Sequence, residues 1–242
     1  MKSHKLGAAI TEQPNGIEVR GVSKSLRGRR ILDNIDLVVP KGTISVIEGD
    51  NGAGKTTLVR ILATVVSPDS GTALVNGHDV ARQSFAVRRS IGVSFANERS
   101  LYWRITGFQN LELFGRIAGL SKRIIARRSA GICDALHIRD VALERVSRMS
   151  TGQRQRLMVA RALLVNPSVL ILDEPFRGLD EEGLQALLSL VRVRAAIGTT
   201  VLIVAPLIEP VLPLANSSYR LEDGRLYPLT QGRAESTPGS QR

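Results

Sequence analysis

The 242-residue chain is poor in cysteine, aromatic residues and acidic charge. Its one cysteine, Cys133, excludes an intramolecular disulfide and a cysteine-rich zinc module. Aromatic residues make up 4% of the sequence, and there are three histidines. No uninterrupted apolar run approaches the ~20 residues needed to span a bilayer. Near the N-terminus, Lys2 and Lys5 precede an apolar stretch, 6–10, too short and broken for a signal-peptide core. A cytosolic chain is expected, with any membrane association arising from a partner or from surface charge.

Basic residues are in surplus, 33 Lys and Arg against 22 Asp and Glu, a formal charge of +11. Such an excess suits contact with something anionic, whether nucleotide, nucleic acid or lipid headgroup; a solvated basic surface is the alternative. The hydrophobic fraction of 43% and the length suffice for a core without staples.

Residues 1–16 are polar with a Pro14-Asn15-Gly16 turn, and 230–242 are rich in Gly, Ser, Gln and Pro. Both are expected to be disordered ends around a domain at 17–229. Within it, 17–22 and 35–39 suggest short antiparallel strands, and 43–48 a strand entering a glycine-rich turn. Residues 55–65 place Leu58, Ile61, Leu62 and Val65 on one side of a helix. Residues 72–75 before Asn76-Gly77 suggest a hairpin. From about 88 to 152, helical, arginine-rich patterns predict an inserted helical subdomain. Apolar runs at 169–172 and 200–204, separated by helical stretches, imply a parallel sheet buried on both faces.

Three motifs carry chemistry. Gly49-Asp50-Asn51-Gly52-Ala53-Gly54-Lys55-Thr56 fits GxxxxGK[ST]. Glycines allow backbone N–H groups to converge on a polyphosphate, and the following helix presents its positive end to it. Lys55 reaches the outer phosphates, the Thr56 hydroxyl suits Mg2+, and Thr57 completes the expected nucleotide-binding segment 49–57. Next, the apolar run 169–172 ends in Asp173-Glu174. Strand tips are where ligands bind in α/β sheets, so Asp173 can serve Mg2+ and Glu174 the attacking water. Third, Met149-Ser150-Thr151-Gly152-Gln153 opens a helix, as an anion-facing start or an ordinary N-cap.

Together these resemble the ATP-binding subunit of ABC transporters over about 17–229. Residues 49–56 correspond to the Walker A loop, 169–173 to Walker B, Ser150-Thr151-Gly152-Gln153 to the signature usually written LSGGQ, and Gly178-Leu179-Asp180 to the D-loop. The resemblance implies a P-loop NTPase: a RecA-like parallel core, a small antiparallel β subdomain and an inserted helical subdomain. It also implies ATP and Mg2+ as cofactors, with two subunits sandwiching two ATPs between one chain's Walker A and the other's signature. Closure of that sandwich would drive a separate membrane permease from the cytoplasmic face. The stretch 100–106, Ser-Leu-Tyr-Trp-Arg-Ile-Thr, is similar to exporter-type subunits of the drug and polysaccharide class.

Three positions depart from the family pattern. Leu26 stands where an aromatic stacks on adenine. Asn97 is the counterpart of the Q-loop glutamine, expected near Mg2+ and the attacking water. Pro206 falls at the switch histidine, and no histidine follows His137. The family histidine donates to the γ-phosphate; losing one transition-state donor typically costs on the order of 10²–10³ in rate. An impaired site of the chain's own, completed by a second ATP-binding subunit in a homo- or heterodimer, is therefore expected. The alternatives are a hydrolysis-poor regulatory half, or an ATPase of the superfamily acting on nucleic acid or the ribosome. No nucleic-acid partner is expected, because neither a long coiled coil nor a second cassette is present.

Six of the nine aromatics, Phe85, Phe95, Tyr102, Trp103, Phe108 and Phe114, fall between 85 and 114, where the family receives its permease. Partner docking is one use for them and core packing the other.

Removing the Lys55 ammonium tests the phosphate loop. Lys55→Ala should weaken MgATP binding by about tenfold or more in a fluorescent-analogue titration, since a charge-assisted contact is lost. Unchanged affinity would remove the loop from nucleotide binding.

Overall fold

The computed structural model describes residues 15–96 and 100–229. The expected disordered ends at 1–14 and 230–242 lie outside the described residues. Asn15 and Gly16 do not belong with them: β1 (Asn15–Leu26) already includes both.

Two sheets form the framework. The first is antiparallel, in the order β2-β1-β4-β5, with β2 spanning Arg29–Pro40, β4 Ser70–Val75 and β5 His78–Asp79. The two leading strands run 12 residues each, longer than the weak alternation at 17–22 and 35–39 suggests. Register shifts along their pairing explain the difference, because each bulge interrupts the period of two that marks a strand in sequence. The expected 72–75 hairpin is present, with Val75 opposite His78.

The second sheet has the order β10-β9-β3-β8-β7-β6. Its strands are β3 (Ile44–Glu48), β6 (Ile91–Ser94), β7 (Val169–Asp173), β8 (Thr200–Ala205), β9 (Ser217–Glu222) and β10 (Arg225–Pro228). All neighbouring pairs are parallel except β9 and β10. Ile91–Ser94 pairs with Val169–Leu172 and so belongs to this core sheet, not to the helical insertion expected from 88 onward. At four residues, β6 is too short for its apolar content to stand out from the helical pattern around it.

The sheet separates two cores, and strand alternation assigns each side chain to one of them. From β7, Leu170 and Leu172 enter a core shared with α5 (Thr151–Leu163) and α6 (Glu181–Ala196). Val169 and Ile171 enter the other core, beneath α1 (Lys55–Leu62) and the antiparallel sheet. The same parity turns Asp173 toward α1.

The helical insertion contains α3 (Gly107–Ile117) and α4 (Lys122–Ala135), packed on α5; α2 (Ser84–Ser90) precedes β6. Part of the arginine surplus is structural here. Arg128 donates to Leu164 O at 2.9 Å, Arg156 to Leu136 O at 3.2 Å and Arg161 to Ser100 O at 2.7 Å. A guanidinium carries five donors, so it can close helix ends and turns that lack backbone partners. Cys133 is fully buried in the same core, and burial pushes its thiol up to about 12. It is a packing residue, as is usual for a buried free thiol.

Candidate functional site

The phosphate loop joins β3 to α1. Gly54 has φ +110° and lies against the Ile31 carbonyl, where a Cβ would come within 2.8 Å. Gly49 packs so closely on Leu221 O that a Cβ would approach to 2.3 Å. Glycine is required at both places, and the loop is wedged between the two sheets. Lys55 turns back across the loop, donating from Nζ to Gly49 O at 2.5 Å and Asp50 O at 2.9 Å. Burial pulls its pKa below the ordinary lysine value, against the attraction of Glu174, Asp173 and Asp50.

Thr56 Oγ1 donates to Asp173 Oδ2 at 2.9 Å, joining the start of α1 to the end of β7. Asp173 is fully buried, and its Oδ1 has no hydrogen-bond partner among the described residues. Burial is the main reason its pKa lies above the ordinary carboxylate value; the Thr56 bond and the Ala96 backbone N–H act in the opposite direction, and Glu174 adds to the rise. A buried carboxylate with an unused oxygen beside a hydroxyl fits a hard divalent cation, which takes oxygen ligands. Thr56 and Asp173 are thus the residues that would hold Mg2+. The third expected ligand, Asn97, lies outside the described residues.

Glu174 follows with φ +50°, a left-handed conformation that costs a non-glycine residue about 1 kcal/mol or more. Its N–H donates to Val204 O at 2.7 Å, and Gln155 Nε2 donates to its carbonyl at 3.3 Å. These bonds hold the turn that places Glu174 on the wall of a cavity of about 260 Å³ at the phosphate loop. Asn51, Gly52, Gly54, Lys55, Thr56, Thr57 and Ile31 complete that wall. A second cavity, of about 700 Å³, adjoins it and shares Ile31, Asn51 and Gly52. Gly49, Asp50, Ala53, Pro206, Leu207 and Glu209 are among its lining residues.

The residues singled out in sequence separate into two groups. The 49–57 loop, Asp173 and Glu174 come together. Ser150, Gly152, Gln153 and Asp180 line neither cavity. Ser150 caps α5 in a reciprocal box with Gln153, its Oγ accepting from Gln153 N at 3.2 Å and its N–H donating to Gln153 Oε1 at 2.8 Å. Asp180 caps α6 by accepting from Gly183 N at 2.9 Å. Gly152 packs on Gly178 O so tightly that a Cβ would sit 2.3 Å away, so the 150–153 and 178–180 turns form one surface.

Leu26 also lines neither cavity and is exposed at the sheet tip; Ile31 is the apolar side chain that lines both. Sequence reasoning missed it because alignment to an aromatic position draws attention to Leu26, whereas the fold brings β2 over Gly54. Gln155 was missed as well, since a glutamine inside a helix carries no local signal. Of the six aromatics, Phe85, Tyr102 and Trp103 are exposed, while Phe95 and Phe108 pack on opposite cores.

The sequence matches the family described as ABC transporter over residues 32–177. It is 39% identical over 219 residues to the daunorubicin resistance ATP-binding protein DrrA3 of Streptomyces coeruleorubidus, covering 90% of this chain and 68% of that one. It is 34% identical over 209 residues to the ABC transporter ATP-binding protein NatA of Bacillus subtilis, covering 86% and 84% of the two chains. A solved structure described as the ATP-binding subunit of an ABC transporter shares the fold with a TM-score of 0.79 at 27% identity, covering 87% of each chain.

Neutralising Asp173 separates stability from ligand binding. Asp173→Asn removes a buried charge, so the nucleotide-free variant should melt a few degrees above the wild type in scanning fluorimetry. The same variant should lose the further rise that Mg2+ with ATP gives the wild type. A nucleotide-free variant melting well below wild type would mean that the carboxylate is already paired.

Proposed function

The chain belongs to the ATP-binding subunits of ABC transporters, and from that membership we propose that it binds MgATP, pairs with a second ATP-binding subunit and drives a separate membrane permease. Its activity is that of an ATPase coupled to transport. Relatives named for daunorubicin and doxorubicin resistance favour drug export as the process it serves. No helix among the described residues is long and apolar enough to cross a membrane, so the proposed seat on the cytoplasmic face is through the permease.

The observation that carries this reading is the buried Asp173 beside Thr56, at the mouth of a loop whose wall includes Lys55 and Glu174. Phosphates enter over the N-terminus of α1, and the Lys55 ammonium exchanges the Gly49 and Asp50 carbonyls for phosphate oxygens. A Mg2+ held by Thr56 and Asp173 would neutralise charge on those oxygens. Glu174, fixed by its backbone bonds to Val204 and Gln155, orients the attacking water and accepts its proton.

The Ser150 helix start lies outside its own chain's loop cavities, which supports a sandwich in which it meets the nucleotide of a second chain. Pro206 lines the adjoining cavity without a side-chain donor, and Glu209 on the same wall supplies an acceptor. Hydrolysis at the chain's own site is therefore slow, while the Ser150 surface can complete a partner's site: a heterodimer would carry one fast site and a homodimer two slow ones.

ATPase turnover of the purified chain, alone and as Pro206→His, tests the impairment. Turnover well below about 1 s⁻¹ is expected, rising in the variant; ordinary turnover in the unaltered chain would show that another group does the work. Replacing both Tyr102 and Trp103 by alanine tests the partner. The pair of changes should release the subunit from its co-expressed permease with ATP binding intact, whereas retained co-purification would place docking elsewhere.

A further inference from the structure

Tyr102 and Trp103 are exposed aromatics, yet their backbone is firmly held. Tyr102 N donates to Asn110 Oδ1 at 2.8 Å, and Asn110 Nδ2 donates to Tyr102 O at 3.0 Å, with Asn110 itself fully buried. Two arginines of α5 support the rings from below. Arg161 lies over Phe114 at 4.6 Å, and Phe114 meets Tyr102 with centroids 6.0 Å apart. Arg154, two turns earlier on the same helix face, lies over the Trp103 ring at 5.1 Å.

Arg154 has a second set of contacts. The same guanidinium donates from Nη1 to Met149 O and from Nη2 to Thr151 Oγ1, the latter at 3.2 Å. Both acceptors flank Ser150, whose capping box opens α5. One planar group thus touches the aromatic patch on one side and the anion-facing turn on the other. Displacement of either must move the fork or break its bonds.

We propose that Arg154 is a positioning residue that couples the exposed Tyr102–Trp103 patch to the Ser150–Gln153 helix start. Occupancy of the patch by the permease sets the geometry of that turn, and engagement of a nucleotide by the turn alters the patch. Linkage makes the two directions equal in free energy, so either one tests the other. The inference rests on the reading above, in which the turn meets a nucleotide held by a second subunit.

Trp103 is the only tryptophan in the chain, so its emission reports the patch directly. The experiment adds MgATP to the purified full chain and follows three signals: analogue displacement for nucleotide binding, sedimentation for pairing, and tryptophan emission. Wild-type emission should change as ATP-dependent pairs form. In Arg154→Met, which keeps an apolar stem and removes the fork, that change should fall at least about threefold while pairs still form. Arg154→Lys keeps a cation without the planar fork and should behave the same way, which covers the case in which the methionine variant does not fold. Emission that changes as in wild type in either folded variant overturns the coupling, as does a wild type that pairs with unchanged emission. A wild type that neither binds ATP nor pairs overturns the transport-ATPase reading, and the coupling with it.

Discussion

The contact between Thr56 and Asp173 is the constraint around which the rest of the structure is arranged. It joins the first turn of α1 to the tip of β7, and it places a fully buried carboxylate against the phosphate loop. Such a group is costly in a protein interior without compensation. The Thr56 hydroxyl, the Ala96 backbone N–H and the nearby Lys55 ammonium compensate only in part, as the upward displacement of the Asp173 pKa shows. The unused carboxylate oxygen is one that a hard cation could take. The loop glycines, the parity of β7 and the left-handed turn at Glu174 all serve to keep that arrangement in place.

Helix α5 extends the consequence to the other side of the molecule. Its first turn is the Ser150 cap, its fifth residue Gln155 holds the carbonyl of Glu174, and its Arg154 and Arg161 carry the aromatic patch. Packing against β6 at Gly92, where a Cβ would come within 2.0 Å of Ala162 O, keeps the helix at a fixed distance from the sheet. One rigid element therefore touches the turn at Glu174, the Ser150 surface and the Tyr102–Trp103 patch.

The departures from the family pattern acquire different meanings once the fold is known. Pro206 lines the larger cavity, whose wall also includes Asn51 and Gly52. Leu26 is peripheral, whereas Ile31 lines both cavities. The two departures therefore differ in place: the first lies on a cavity wall and the second does not. The basic surplus has two uses as well, since Arg128, Arg156 and Arg161 serve internal carbonyls while others remain on the surface.

The phosphate loop, the apolar strand ending in Asp173-Glu174 and the helix opening at Ser150 were legible in the sequence because each is local: spacing within a dozen residues specifies backbone conformation and chemistry together. The parallel sheet was legible for a similar reason, since strands buried on both faces are continuously apolar. The β6 strand, the true lengths of β1 and β2, and the roles of Ile31, Asn110, Arg154 and Gln155 were not. Bulges and short strands erase the period, and a residue that acts through a contact dozens of positions away leaves no local mark. The sequence by itself thus determined the nucleotide chemistry and the fold class. Only the tertiary structure decided which side of the sheet Asp173 faces, that the Ser150 turn stands outside its own chain's loop cavities, and that one guanidinium joins that turn to Trp103, because these depend on how distant segments pack.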